Sequence, residues 1–233
     1  MIKPEIEKLR GGLIVSCQAP QGSPLDNPDI IAALALTAEQ NGAVGVRINS
    51  APHIAATNLR VRVPIIGIEK VVTPESEVYI TPTFDVASRI VESGAGIVAM
   101  DATRRRRPQG ETLETLIRRV REELQCLIMA DVATLDEGLS AADCGVEIVA
   151  TTLCGYTAES RGTQLPAFEL LEQLASRLSV PVICEGGVGS PKQVRQALEC
   201  GAFAVVVGTA ITGIGHQVKN FVASSFVVGK KAD

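Results

Sequence analysis

Eight short apolar runs alternate with longer amphipathic segments along this chain, and that alternation constrains the fold more than any other feature. The runs are Leu13–Cys17, Val44–Ile48, Ile65–Ile68, Ile97–Ala99, Cys126–Ala130, Glu147–Ala150, Val182–Cys184 and Ala204–Val207. Val78–Ile80 competes for fourth place, but it is short and follows Thr73-Pro74-Glu75, so it reads as part of a long loop after the third strand. The segments between are predicted helices over Asp29–Gln40, Ala51–Leu59, Phe84–Glu92, Leu113–Leu124, Leu135–Asp143, Phe168–Arg177, Lys192–Glu199 and His216–Phe226. Pro28, Pro166 and Pro191 fall at plausible helix starts, where a missing N–H costs nothing. Gly42, Gly94, Gly145 and Gly201 follow helices, where the left-handed conformation ends a helix. Strict strand–helix alternation implies a parallel sheet with right-handed crossovers. Eight units favour closure into a (β/α)8 barrel, and 233 residues approach the roughly 250 typical of one. With no linker or low-complexity tract, residues 1–233 are expected to form one domain.

Composition fits that architecture. Hydrophobic residues make up 46% and aromatics only 3%, so Ala, Val, Ile and Leu must fill the core. The formal net charge of −4 gives no general attraction to nucleic acid or to an anionic membrane, so a phosphate site would have to be local. Six cysteines, none in a Cys-x-x-Cys pair, read as reduced, buried thiols of a cytoplasmic protein. Met1–Gly12 has no apolar signal core, and no run approaches the roughly 20 apolar residues that span a bilayer.

The last two strands break into glycine loops, Glu185-Gly186-Gly187-Val188-Gly189-Ser190 and Gly208-Thr209. Glycine lets backbone N–H groups approach a ligand, and a helix start carries partial positive charge, so paired loops of this kind make an anion cradle. In a (β/α)8 barrel this is where a phosphate sits, after strands seven and eight. Glu185 lies inside the first loop and suggests chemistry on a phosphorylated small molecule.

Active sites of such barrels form at the C-terminal ends of the strands. Ser16-Cys17-Gln18, Arg47-Ile48-Asn49, Glu69-Lys70, Asp101, Asp131, Thr151-Thr152, Glu185 and Thr209 all stand at these ends. Any one Asp or Thr there is equally well explained as a helix cap. A ring that includes Arg47, Lys70 and Glu185 is not. Lys70 and Glu185 lie four strands apart, on opposite sides of the mouth, which suits proton removal on one face of a substrate and delivery on the other. A lysine serves as base only if its pKa is lowered, by desolvation or by a neighbour such as Arg47. A structural Lys70–Glu185 ion pair is the competing reading. Arg47 could orient a substrate oxygen or hold Asp131 or Glu185. The Arg104–Arg107 run reads first as a solvated loop, with steering of a phosphorylated substrate as its alternative. His53 and His216 are the only histidines and neither ends a strand, no spacing resembles a zinc site, and dinucleotide and serine-nucleophile motifs are missing.

Longer motifs carry a resemblance. Gly12-Leu13-Ile14-Val15-Ser16-Cys17-Gln18, Gly67-Ile68-Glu69-Lys70, Val78-Tyr79-Ile80-Thr81-Pro82-Thr83, Asp101-Ala102-Thr103, Met129-Ala130-Asp131, Thr151-Thr152-Leu153-Cys154-Gly155-Tyr156-Thr157 and Glu185-Gly186-Gly187 resemble the N-acetylmannosamine-6-phosphate 2-epimerase family, from the first strand to the last. The resemblance implies a TIM barrel of the ribulose-phosphate-binding type. It also implies interconversion of N-acetylmannosamine 6-phosphate and N-acetylglucosamine 6-phosphate in amino-sugar and sialic acid catabolism, with neither metal nor organic cofactor. Lys70 and Glu185 would then be acid and base at C2, through an enolate. Gln18, Arg47, Asp131 and Thr152 would bind and orient the sugar, and Gly186, Gly187, Gly189, Gly208 and Thr209 would hold the phosphate. One departure stands out: Gly213 occupies a position where members of the family often carry an arginine, and Lys219 or an arginine of the 104–107 run is its possible substitute. Alternatives on the same barrel are another phosphosugar isomerase, an aldolase with Lys70 as Schiff-base nucleophile, and a non-catalytic sugar-phosphate-binding module. The apolar segment Phe221–Val228 is expected to pack on its own barrel or on a second copy in a homodimer.

Overall fold

The computed structural model describes residues 2–225. Its strands are β1 (Leu13–Cys17), β2 (Gly45–Asn49), β3 (Ile65–Ile68), β4 (Ile97–Asp101), β5 (Leu127–Asp131), β6 (Ile148–Ala150), β7 (Val182–Cys184) and β8 (Ala204–Val207). Each is parallel to its sequence neighbours, and β8 returns to β1, so the sheet closes into an eight-stranded barrel. The principal crossovers are α2 (Pro28–Gln40), α3 (Ala51–Asn58), α4 (Phe84–Glu92), α5 (Leu113–Arg119), α6 (Leu135–Asp143), α7 (Phe168–Arg177) and α8 (Pro191–Glu199). The expected (β/α)8 TIM barrel is the observed one.

Side chains alternate along a strand, and here the alternation sorts the chain into two cores. Ile14, Ile66, Ile68, Ile97, Met129 and Ile148 face the barrel axis, whereas Val15, Val46, Ile48, Val98, Ile128 and Val205 face the helices. Outward Gly67 has no room for a side chain: a Cβ there would lie 2.4 Å from Ile90 and 2.6 Å from Ala95. Carrying the inward series one or two residues past the apolar layer reaches Ser16, Arg47, Lys70, Asp101, Asp131, Thr152 and Glu185. A short helix, α1 (Pro4–Glu7), was not expected from the sequence. Its Ile6, with the following Leu9, belongs to the interior cluster and closes the opposite end of the barrel.

Several boundaries differ from expectation for identifiable reasons. β4 and β5 run on to Asp101 and Asp131, which pair in register; both carboxylates find partners inside the barrel, so the ladder continues through them. Val78–Ile80 is outside the barrel sheet, as read, but it is not irregular. It folds back on Lys70 as a hairpin, with an antiparallel Lys70–Ile80 bridge and hydrogen bonds Val71 N to Tyr79 O and Thr81 N to Glu69 O, each 2.9 Å. Pro28 and Pro191 begin their helices, but Pro166 does not: α7 starts at Phe168, after a cis Leu165–Pro166 bond. Gly42, Gly94, Gly145 and Gly201 have φ of +93°, +104°, +86° and +94°, so each ends its helix in the left-handed conformation.

After β8 the chain makes one turn, α9 (Thr209–Thr212), and then α10 (Ile214–Ser225). No residue of α10 is buried, and its Phe221 is 78% exposed. Phe226–Val228 lie outside the described residues. No helix among those described is long and apolar enough to cross a membrane.

Candidate active site

Arg47 is the centre of the strand-end cluster. It projects inward from β2 between apolar layers and is only 1% exposed. Its Nη1 and Nη2 donate to Asp131 Oδ1 and Oδ2 at 3.0 and 2.6 Å, a two-point ion pair with a carboxylate that is itself fully buried. Nη1 also donates to Glu185 Oε2 at 2.9 Å. Burial works against the guanidinium charge, but Asp131 and Glu185 outweigh it and hold the pKa above the usual arginine value. Arg47 therefore holds both acids at once. Thr152 Oγ1 donates to Asp131 Oδ1 at 2.6 Å, so Thr152 orients the pair.

Lys70 continues the inward series Ile66, Ile68 on β3, while Glu69 turns outward to Arg89 on α4 at 2.9 Å. The Lys70 backbone is held by its hairpin partner Ile80 and by Asn49, whose Oδ1 accepts from Lys70 N at 3.0 Å. Its Nζ donates to Gln18 Oε1 at 2.7 Å. The side chain is open to solvent at the mouth, yet the rim crowds its ammonium. This partial desolvation, with the nearby Arg47 charge, lowers its pKa, while Glu185 and Asp131 act in the opposite direction. Glu185 departs in the other sense: burial raises its carboxyl to about 7, with Arg47 opposing and Asp131 reinforcing the shift. Its backbone is fixed by Thr151, whose Oγ1 donates to Glu185 O at 2.8 Å and accepts from Glu185 N at 3.1 Å. Among the described residues Lys70 forms no ion pair with Glu185; each has its own partner.

The arginine run departs from its reading as a solvated loop. Arg107 is 4% exposed and donates to the backbone carbonyls of Asp101 and Pro82. Arg105 binds the buried Asp101 carboxylate, Nη2 to Oδ2 at 2.6 Å. Only Arg104 and Arg106 face solvent. A second ion pair, Arg105–Asp101, therefore stands beside the first, with Tyr79 in the field of both. Sequence reasoning gave no role to Tyr79 or Asn49. Tyr79 lies on the hairpin, outside the strand series, and Asn49, although it ends β2, acts through a bond to the Lys70 backbone that no spacing reveals.

The glycine loops lie where the strand order requires. Gly186 and Gly187 have φ of +108° and +71°, and a Cβ on Gly187 would lie 2.4 Å from that of Leu165. Gly189 N is engaged by Gln193 Oε1 at 2.8 Å. Gly208 packs on Ser16, whose Cβ would be 3.3 Å from a side chain there. Gly213 leaves no room for an arginine in this backbone, because its Cβ would meet Thr209 O at 2.6 Å. Lys219 lies on exposed α10.

A closed (β/α)8 barrel with an inward lysine, a raised carboxyl and glycine loops after β7 and β8 has the architecture of a TIM-barrel enzyme, with polar groups gathered at the C-terminal ends of the strands. Comparison with known proteins is specific. Residues 31–225 match the family described as "Putative N-acetylmannosamine-6-phosphate epimerase". A protein of Synechococcus elongatus named as a 2-epimerase of that kind is 50% identical over 222 residues, covering 94% of this chain and 96% of the relative. One from Caldanaerobacter subterraneus is 44% identical, with 93% and 92% covered. The solved N-acetylmannosamine-6-phosphate 2-epimerase from Clostridium perfringens superposes with a TM-score of 0.91 at 37% identity, covering 95% of this chain and 96% of that one. The chain belongs to the N-acetylmannosamine-6-phosphate epimerase family.

Proposed function

We propose that this protein interconverts N-acetylmannosamine 6-phosphate and N-acetylglucosamine 6-phosphate by moving the proton at C2, in amino-sugar and sialic acid catabolism. The observation that carries the reading is the inward Lys70, its pKa lowered by the crowded rim and Arg47, across the mouth from a Glu185 raised to about 7. In the ring-opened sugar the C2 proton lies beside the C1 aldehyde. Neutral Lys70 takes that proton; the C–H electron pair forms the C1–C2 double bond of an enolate, and charge moves to the C1 oxygen. Glu185, whose carboxyl is raised to about 7 so that a sizeable fraction holds a proton at neutral pH, returns one to the opposite face of C2. Lys70 then ends charged and Glu185 ionised, and exchange with water resets both. Arg47 and Asp131 keep Glu185 in place, and Thr152 keeps Asp131 in place, so their part in substrate orientation is indirect. Gln18 holds Lys70. Gly186, Gly187, Gly208 and Thr209 offer the seat for the phosphate; Gly189, read with them, has its N–H engaged by Gln193 Oε1 at 2.8 Å.

One observation favours a variant in which Lys70 both removes and returns the proton: Glu185 is held by Arg47 at 2.9 Å rather than standing free. The test is a proton NMR time course with N-acetylmannosamine 6-phosphate in D₂O with EDTA. Deuterium at C2 of the product establishes exchange with solvent, proton retention points to return by Lys70 alone, and no conversion by folded protein overturns the reading.

The same reading takes the chain as one cytoplasmic domain that works as a homodimer. Support for the dimer is the exposed apolar row Ile214, Val218 and Phe221 of α10, which a second copy would cover; sedimentation at micromolar concentration as a monomer would refute it.

A further inference from the structure

Ser16 has no role in the reaction so far, yet three contacts converge on it. It faces inward from β1 at the level of Arg47, its register partner on β2, and it is 6% exposed. Its Oγ accepts a hydrogen bond from Gln18 Nε2 at 2.8 Å, and Gln18 Oε1 in turn accepts from Lys70 Nζ at 2.7 Å. On its other side its carbonyl accepts from Thr212 Oγ1 of α9 at 2.7 Å, and Oγ lies 3.6 Å from the position of a Cβ on Gly208. Ser16 thus sits between the candidate phosphate loop and the hydrogen bond that holds the base.

A glutamine amide can be turned either way. Only one way presents a carbonyl to a lysine ammonium; the other sets donors against donors. The partner of Nε2 decides between them, and that partner is a hydroxyl, which can accept or donate. Its choice depends on where its own proton goes. Among the described residues, Ser16 Oγ accepts from Gln18 and donates to none. A phosphate oxygen seated at Gly208 would be an acceptor on the side that Ser16 faces. Donation to it leaves Oγ free to accept from Gln18 and strengthens that bond through the chain.

We propose that Ser16 is a positioning residue that couples the phosphate seat to Lys70 through the Gln18 amide. The substrate's own phosphate then sets the Gln18 carbonyl on the Lys70 ammonium and helps aim the base. This rests on the reaction proposed above. Wild-type turnover of N-acetylmannosamine 6-phosphate is therefore measured first, and its failure in folded protein would remove the reaction itself.

With wild type active, Ser16→Ala is expected to lower kcat about tenfold, the scale of one lost hydrogen bond to a charged group. It should raise KM by less. The ammonium loses an acceptor that favours its charged form, so the acidic limb of the kcat profile moves to lower pH. In a Gln18→Ala background the same change should cost less than about twofold, because the two residues act in series. Ser16→Cys keeps the volume with a poorer acceptor and should reproduce the alanine variant, which separates hydrogen bonding from packing. A rise in KM with kcat and pH profile unchanged would make Ser16 a phosphate contact only and overturn the coupling. So would additive losses with Gln18→Ala, or a cysteine variant equal to wild type.

Discussion

Arg47 and Asp131 form a two-point ion pair, 3.0 and 2.6 Å, in which neither side chain is more than 1% exposed. A pair this buried gains little net stability when intact, because desolvation offsets attraction, but breaking it strands a charge. It sits under the mouth, and from it Glu185 is held in place.

Asp131→Ala should therefore destabilise the fold by about 3–5 kcal/mol, the cost of leaving one partner of a buried pair uncompensated. Urea unfolding measures this directly. A loss below about 1 kcal/mol would mean that Arg47 relaxes onto Glu185 and that the pair is not the anchor described.

Lys70→Ala removes the base but no buried charge and no strand residue. Its fold should persist, and turnover should drop by at least about 10²–10⁴-fold, the range for loss of a positioned base. The NMR time course reads both, since the spectrum of the protein reports folding. Near-normal conversion would sink the assignment.

The raised carboxyl of Glu185 carries a sign that can be checked. Between about 4.5, its ordinary value, and about 7 in the fold, the native state holds a proton that the unfolded chain has released. Stability from this group is thus fully present below that window and is lost as pH rises through it. Glu185→Gln should flatten the fall in unfolding free energy from pH 5 to pH 7.5 measured by urea titration. Parallel curves for the two proteins would contradict the shift.

Gly187→Ala meets two obstacles, φ of +71° and a Cβ position 2.4 Å from Leu165 Cβ. Competitive inhibition by inorganic phosphate should weaken, and the melting temperature should fall, by several degrees for a cost of about 1–2 kcal/mol. Unchanged phosphate inhibition would move the phosphate seat away from this loop.

Gly213→Arg introduces the arginine that the resemblance to the family leads one to expect after the last strand, but a Cβ there would lie 2.6 Å from Thr209 O. The expected result is a less stable protein with no tighter phosphate binding, followed by calorimetry with inorganic phosphate. A clear gain in affinity would show that α9 shifts easily to admit the side chain.

The barrel was legible in the chain because its two periods are local. Alternation of apolar runs with amphipathic segments specifies strands and helices, and eight of them in parallel order leave closure as the economical solution. The same period-2 alternation, extended past Ile66 and Ile68, already places Lys70 inside, as it places Arg47 and Asp131. What it could not supply was which inward group meets which. The competing reading of Lys70 and Glu185 as an ion pair could be settled only by the partners each finds: Lys70 is bonded to Gln18 and Glu185 to Arg47. The arginines at 105 and 107 read as a surface run, yet they turn in to Asp101, whose buried carboxylate and carbonyl need donors. Ser16 was legible as a polar residue at a strand end, but its partners were not. Its place between Gly208 and Gln18 arises only when β8 closes on β1, bringing together residues almost two hundred positions apart. Local periodicity therefore determined the elements and their inward faces. The partners, and with them the protonation states of the site, were decided by closure of the barrel, since desolvation and charge pairing depend on groups that only the tertiary structure brings within reach.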